Sequence, residues 1–206
     1  LGLFGLNAFP VDVEIELSKG MPAFDIVGLA DIVVKESRER IRAALRSCDI
    51  AFPLAKVMVN LAPADTKKSG SVTDLAITMA LLKITGQIDD DLSTSAFIGE
   101  VSLNGDIRGI NGVLPMVLLA KKEGLKKVFV PIENSHEASV VENIEVFGVK
   151  SVEALLVHFN GAEKIFPQGK YIIEKTESFN SLDFADVKGQ HTAKKALEIA
   201  AAGGHN

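Results

Sequence analysis

The chain has 206 residues, 47% of them apolar and 24% charged, and a net charge of −5 at pH 7. That is the balance of a globular protein with length for one good-sized core and part of another. It excludes a chain that coats nucleic acid with its whole surface, though not a local basic patch. The single cysteine, Cys48, excludes an internal disulfide framework and fits a reducing cytoplasm. No apolar run approaches the ~20 residues that span a bilayer, so no membrane partner is expected.

Leu1 to Phe9 is apolar and has no charged leader, which reads as a strand met mid-flow in a longer protein rather than a signal peptide. From Val11 to Leu17 apolar residues alternate with Asp12, Glu14 and Glu16, the period of a strand with one wet face. Ser18 to Pro22 is a turn and Ala23 to Gly28 a short buried strand. Asp31 has the character of an N-cap for a helix running to about Ser47. On that helix Glu36 and Arg40 are spaced to pair, whereas Arg38, Arg42 and Arg46 form a row with no acid at the same spacing. Such a row is ordinarily a solvated face or a bridge to an acidic neighbour; contact with phosphate or with another subunit is the sharper alternative.

Ala55 to Leu61 is the next strand, and a helix follows over Asp74 to Ile84. The polar loop between them holds Lys67, Lys68, Ser69, Gly70, Ser71 and Thr73. Strand-to-helix loops of this kind hold nucleophiles or phosphates, which makes this the place to look for chemistry. Ala96 to Leu103 and Asp106 to Ile110 flank Asn104-Gly105, which predicts a hairpin with a type I′ turn. A helix over Val113 to Glu123 capped by Gly124, a strand over Lys127 to Pro131, and a short helix capped by Ser135 come next. A strand over Glu145 to Val149 and a helix from Ser151 to about Phe159 complete a mixed α/β domain. Pro167, Gly169, Ser178, Asn180 and Ser181 then mark a connector with a short strand at Tyr171 to Ile173. His191 to Ala202 is an alanine-rich helix stopped by Gly203-Gly204.

Metal chemistry has little support: His136, His158, His191 and His205 are scattered, and Asp89-Asp90-Asp91 reads as a solvated loop. No G-x-x-x-x-G-K-[ST] phosphate loop occurs.

Several long runs carry a resemblance. Asp183 to Gln190 followed by Ala193 to Asn206 resembles the opening of the ATPase module of magnesium-chelatase-like AAA+ proteins of the ComM/YifB group. Phe24 to Leu29, Val34 to Leu45, and Val59 to Asp65 with Asp74-Leu75 resemble the N-terminal part of the same group. The resemblance implies a Lon-proteolytic-domain-like fold of the ribosomal protein S5 domain 2-like kind over residues 1–162, a linker over 163–182, and the truncated start of an AAA+ domain over 183–206.

It also supplies a test. The Lon loop reads K-D-G-P-S-A-G, and aligned on Lys68 and Gly70 it puts Val72 at the serine position. Met116 falls where the Lon lysine belongs. A valine cannot attack a carbonyl and a methionine cannot take its proton, so no catalytic residue is expected. Lys67 and Lys68 then read as solvated loop charges or, with Arg38, Arg42 and Arg46, as contacts to nucleic acid or a neighbouring domain. The resemblance implies that Val187 and Gly189 line the adenine pocket in the parent protein, which would use ATP and Mg²⁺, while the fragment should not hydrolyse ATP. The parent is expected to be a cytoplasmic hexameric ring acting on DNA, as a helicase or branch-migration motor in recombination or competence. A chelatase-type protein-remodelling ATPase and a Lon-like serine peptidase are the alternatives.

Overall fold

A computed structural model describes residues 1–171 and 183–205. The chain divides into two compact units, Leu1–Ile172 and Ile173–Asn206.

The first unit opens with a hairpin, β1 (Gly2–Phe4) against β2 (Asn7–Phe9). The alternating strand β3 (Asp12–Ser18) follows, then β4 (Ala23–Val27), α1 (Ile32–Ser47), β5 (Lys56–Ala62) and α2 (Asp74–Ile84). The sheet order is β3-β5-β4, with β5 antiparallel to β3 and parallel to β4. Val57, Val59 and Leu61 point to the face covered by α1 and α2 and are fully buried, whereas Asp12, Glu14 and Glu16 stand on the open face. The period-two pattern therefore sorted these side chains correctly.

β6 (Ser95–Phe97), β7 (Glu100–Val101), β8 (Ile107–Arg108), α3 (Val113–Lys122) and β9 (Lys127–Pro131) come next. α4 (Ser135–Ala138), β10 (Glu145–Val149) and α5 (Val152–Phe159) close the unit. The second sheet is all parallel, in the order β10-β9-β6. Phe97, Phe129 and Phe147 stack across its three strands with successive centroids 4.8 Å apart. The fold class is mixed α/β, as expected.

The hairpin around Asn104 differs from its expectation in two ways. The run from Ala96 is not one strand: β6 pairs with β9, and β7 pairs with β8 in a separate ladder. The turn is not type I′, because Asn104 keeps a negative φ and only Gly105 is positive, at +86°. The Gly105 N–H donates to the Ser102 carbonyl (3.0 Å) and the Ser102 N–H to the Asp106 carbonyl (2.9 Å). This is a type I turn closed by a left-handed glycine, the three-residue hairpin loop. The Asn104 side chain, tied to Ser102 and Asp106, favours that arrangement.

Ser135 is also not the N-cap of α4. It is the first residue of α4, after a 3₁₀ turn at Ile132–Asn134, and its hydroxyl donates to the Ile132 carbonyl (2.7 Å). Beyond α5 the chain folds back on the sheet. The Ile165 N–H donates to His158 Nδ1 (2.9 Å) and the Gln168 N–H to the Val146 carbonyl (2.7 Å), so the start of the expected linker lies against β10. Tyr171 is not in a strand, and the rest of the strand expected there lies outside the described residues.

In the second unit the principal element is α6 (His191–Gly203), entered through Gln190 and left through Gly204, both in left-handed conformations.

Candidate functional site

The loop from β5 to α2 is fixed at three places. After a cis Ala62–Pro63 peptide it runs beside the segment leading into α1. There the Lys68 N–H donates to the Leu29 carbonyl (3.3 Å) and the Asp31 N–H to the Lys68 carbonyl (3.1 Å). Asp31 caps α1 through the Val34 N–H (2.8 Å), as the sequence implied. At the far end the Gly99 N–H donates to the Val72 carbonyl and the Leu75 N–H to the Gly99 carbonyl, each at 3.1 Å.

Lys68 corrects one expectation. Lys67 is exposed, but Lys68 is only 2% exposed and donates its ammonium to the Pro63 carbonyl inside the loop. Burial pushes that ammonium below its ordinary value, against the opposing pull of Asp65. It is a strut of the loop rather than a solvated charge.

The third tie is a buried ion pair. The Asp74 carboxylate, in the first turn of α2, is fully buried and faces Arg40 of α1. Arg40 Nε donates to one oxygen (2.8 Å) and Nη2 to the other (3.2 Å), the bidentate arrangement a guanidinium suits best. Nη2 also reaches Ser37 Oγ (2.9 Å) and the Val33 carbonyl (3.2 Å), while Ser37 donates to Asp74. Burial pushes the Asp74 carboxyl up, and the Arg40 and Ser37 hydrogen bonds pull it down. Arg40 thus binds Asp74 rather than the Glu36 partner suggested by helical spacing. The sequence reading missed this cluster; its one signal was an acid heading an otherwise apolar helix.

The positions aligned with the Lon dyad lie in an apolar setting. Met116 is 1% exposed within a cluster that includes Val113, Val117 and Val130, and Val72 packs against the same cluster. Neighbouring hydroxyls have other partners or none. Ser71 donates to Glu100, which Arg108 holds at 3.6 Å, while Ser69 is exposed. The Thr73 hydroxyl is buried without a partner. Among the described residues no lysine or histidine hydrogen-bonds any of these hydroxyls, so the arrangement contains no serine–lysine or serine–histidine pair; the acceptor of Ser71 is the Glu100 carboxylate.

The arginine row is partly compensated within the domain. Arg42 lies over the rings of Phe24 (5.6 Å) and Phe52 (5.0 Å), with Glu39 at 3.8 Å. Arg38 donates to the Lys35 carbonyl (3.0 Å) and the Phe24 carbonyl (3.3 Å), and Arg46 is exposed at the end of α1. Asp91 closes a turn by accepting from the Ser93 N–H and hydroxyl, each at 2.9 Å. Among the described residues no three His, Cys, Asp or Glu side chains converge on a metal position, and no helix is long and apolar enough to cross a membrane. In the second unit Val187 is 44% exposed and Gly189 has a φ of +71°.

Fold and loop together define a mixed α/β domain whose strand-to-helix loop is tied to its neighbours by buried polar contacts. Comparison with known proteins gives its family. The profile of "Subunit ChlI of Mg-chelatase" matches residues 13–134, and that of "Magnesium chelatase, subunit ChlI" matches 183–206. "Competence protein ComM" of Haemophilus influenzae is 37% identical over 206 residues, covering 98% of this chain and 40% of that protein. "Uncharacterized protein YifB" of Escherichia coli is 34% identical over 209 residues, with the same coverage of 98% and 40%. "Lon protease 2" of Bacillus subtilis is 27% identical over 174 residues, covering 76% of this chain and 31% of that protein, which is consistent with a Lon-like domain. The chain belongs to the magnesium-chelatase-like ComM/YifB family, and it spans about 40% of the length of these ComM and YifB relatives.

Proposed function

We propose that this chain is the non-proteolytic, Lon-like N-terminal part of a magnesium-chelatase-like AAA+ ATPase, and that the whole protein is a cytoplasmic hexameric motor acting on DNA during recombination. The observation that carries the non-proteolytic reading is the apolar cluster holding both Val72 and Met116 where a serine and a lysine would be needed. The DNA reading is supported by similarity to a protein named for competence. In the whole protein Val187 and Gly189 would contribute to an adenine pocket, an exposed apolar side chain beside a left-handed glycine being compatible with a nucleobase face. ATP and Mg²⁺ would supply the phosphoryl chemistry there. Arg46 and Lys67 are the exposed cations best placed for DNA or a neighbouring subunit, since Lys68 is buried and Arg42 lies over two rings.

The test is ATP-dependent branch migration of a synthetic Holliday junction by the full-length protein. Migration that ATP starts and salt weakens is expected. Robust ATP hydrolysis without any strand movement would overturn the motor reading. It would favour a chelatase-type remodelling ATPase, the second reading, which the names of both matching profiles support.

A further inference from the structure

Three asparagines of the first unit are followed by glycine, at Asn104-Gly105, Asn111-Gly112 and Asn160-Gly161. Asparagine is chemically labile, and such a pair is open to a reaction that needs no enzyme. The glycine nitrogen attacks Cγ of the preceding carboxamide, and a residue without a Cβ leaves that approach clear. In a folded chain the attack has two requirements. The glycine N–H must not be held in a hydrogen bond, and the carboxamide must be able to turn toward it.

The three pairs differ on both counts. The Gly105 N–H donates to the Ser102 carbonyl (3.0 Å), and the Asn104 side chain is tied to Ser102 and Asp106. The Gly161 N–H donates to the His158 carbonyl (3.2 Å), and Asn160 is held in the closing turn of α5 by its own N–H, which donates to the Leu156 carbonyl (2.9 Å). Neither restraint exists at the middle pair. Among the described residues the Gly112 N–H and the Asn111 carboxamide have no hydrogen-bond partner, and Asn111 is exposed. The loop is pinned on either side of it instead. Glu133 accepts the Gly109 N–H (3.0 Å), Asn134 the Ile110 N–H (3.0 Å) and Glu137 the Leu114 N–H (3.1 Å).

From this we infer that Asn111 is a selective site of spontaneous deamidation. The Gly112 nitrogen bonds to Asn111 Cγ, the Cγ–Nδ2 bond breaks, and Nδ2 leaves as ammonia, carrying the proton of the Gly112 N–H. Water then opens the resulting succinimide at either carbonyl, which leaves aspartate or isoaspartate at position 111. The change places a carboxylate, beside that of Glu137, just ahead of α3. Negative charge is favourable at a helix N-terminus, and the N-cap of this one, Gly112, supplies no side-chain acceptor.

Peptide mapping by mass spectrometry tests the inference, on the full-length protein incubated in mildly alkaline buffer either folded or in urea. In urea the three pairs should convert at similar rates. In the folded protein Asn111 should convert at close to its rate in urea, and Asn104 and Asn160 at least about tenfold more slowly, because each must first break a hydrogen bond and leave its turn. Isoaspartate should appear in the peptide that holds position 111. Asn111→Gln should leave that peptide unchanged, since a glutamine must close a larger ring. Conversion of Asn104 or Asn160 as fast as that of Asn111 in the folded protein would overturn the inference. So would protection of Asn111 by as much as the other two.

Discussion

The two ends of α2 face regions of opposite character. At its N-terminus the β5–α2 loop has turned its polar groups inward: Lys68 to Pro63, Asp74 to Arg40 and Ser37, Ser71 to Glu100. Along its length the same helix floors a groove lined by β3 and β6, with Ala76, Met79, Ala80 and Ile84 turned to it. A loop that would be catalytic needs hydroxyls and a base free to meet substrate, and this loop uses such groups to hold three elements together. The polar groups named here are spent on contacts within the domain.

The largest effect that separates the two regions is expected at the buried ion pair. Arg40→Ala leaves the Asp74 carboxylate buried and unpaired and should cost about 3–5 kcal/mol in urea denaturation. The double variant Arg40→Met, Asp74→Leu should recover most of that loss, because it removes both charges together. Charge reversal at Glu14 and Glu16, on the open face of β3, should leave stability within about 0.5 kcal/mol of the parent. A comparable loss from both sets of changes would erase the distinction.

A smaller loss is expected at Gly28, where the chain turns toward the loop. Its φ is +100°, and an added Cβ would lie 2.2 Å from the Leu61 carbonyl oxygen. The obstacle is backbone in the middle of the core, so Gly28→Ala should cost about 1–3 kcal/mol. Thermal unfolding would detect it.

The smallest effect concerns pH. Burial holds the His158 imidazole below its ordinary value, with Lys127 and Lys164 acting in the same direction and Asp90 against. The neutral ring accepts the Ile165 N–H at 2.9 Å. Between the lowered folded value and the unfolded value of about 6.5, the unfolded chain binds more protons, so stability rises with pH across that window. The contribution of His158 is therefore fully present above about pH 6.5 and lost as pH falls through the folded value. It should amount to no more than about 1 kcal/mol, since the ring is only half-buried. His158→Asn, which keeps an acceptor but does not titrate, should flatten that part of the pH profile.

Much of the fold was legible in the sequence because its signals are local. Alternation gave β3, Asp31 and Ser151 marked helix starts through side-chain caps, and α2, β9 and β10 have their expected limits. The errors have two sources, a competing contact two residues away and a partner distant in the sequence. Asn104-Gly105 favours type I′ in isolation, but Ser102 and Asp106 hold the turn in another form. Arg40 has Glu36 at helical spacing, but a buried carboxylate 34 residues away binds it more strongly. Lys68 lies in a polar stretch, but its backbone pairs with Leu29 and Asp31 and its ammonium turns in to the Pro63 carbonyl. The expectation of no dyad at Val72 and Met116 rests on residue type alone: no packing makes a nucleophile of a valine or a base of a methionine.

The central claim, that the loop holds the fold together and does no peptide chemistry, is tested most directly by a fluorophosphonate serine probe followed by peptide mapping of the folded chain. Ser69 and Ser71 should remain unlabelled at concentrations that saturate an active serine peptidase. Stoichiometric labelling of Ser71, abolished by Ser71→Ala and by unfolding, would contradict the account.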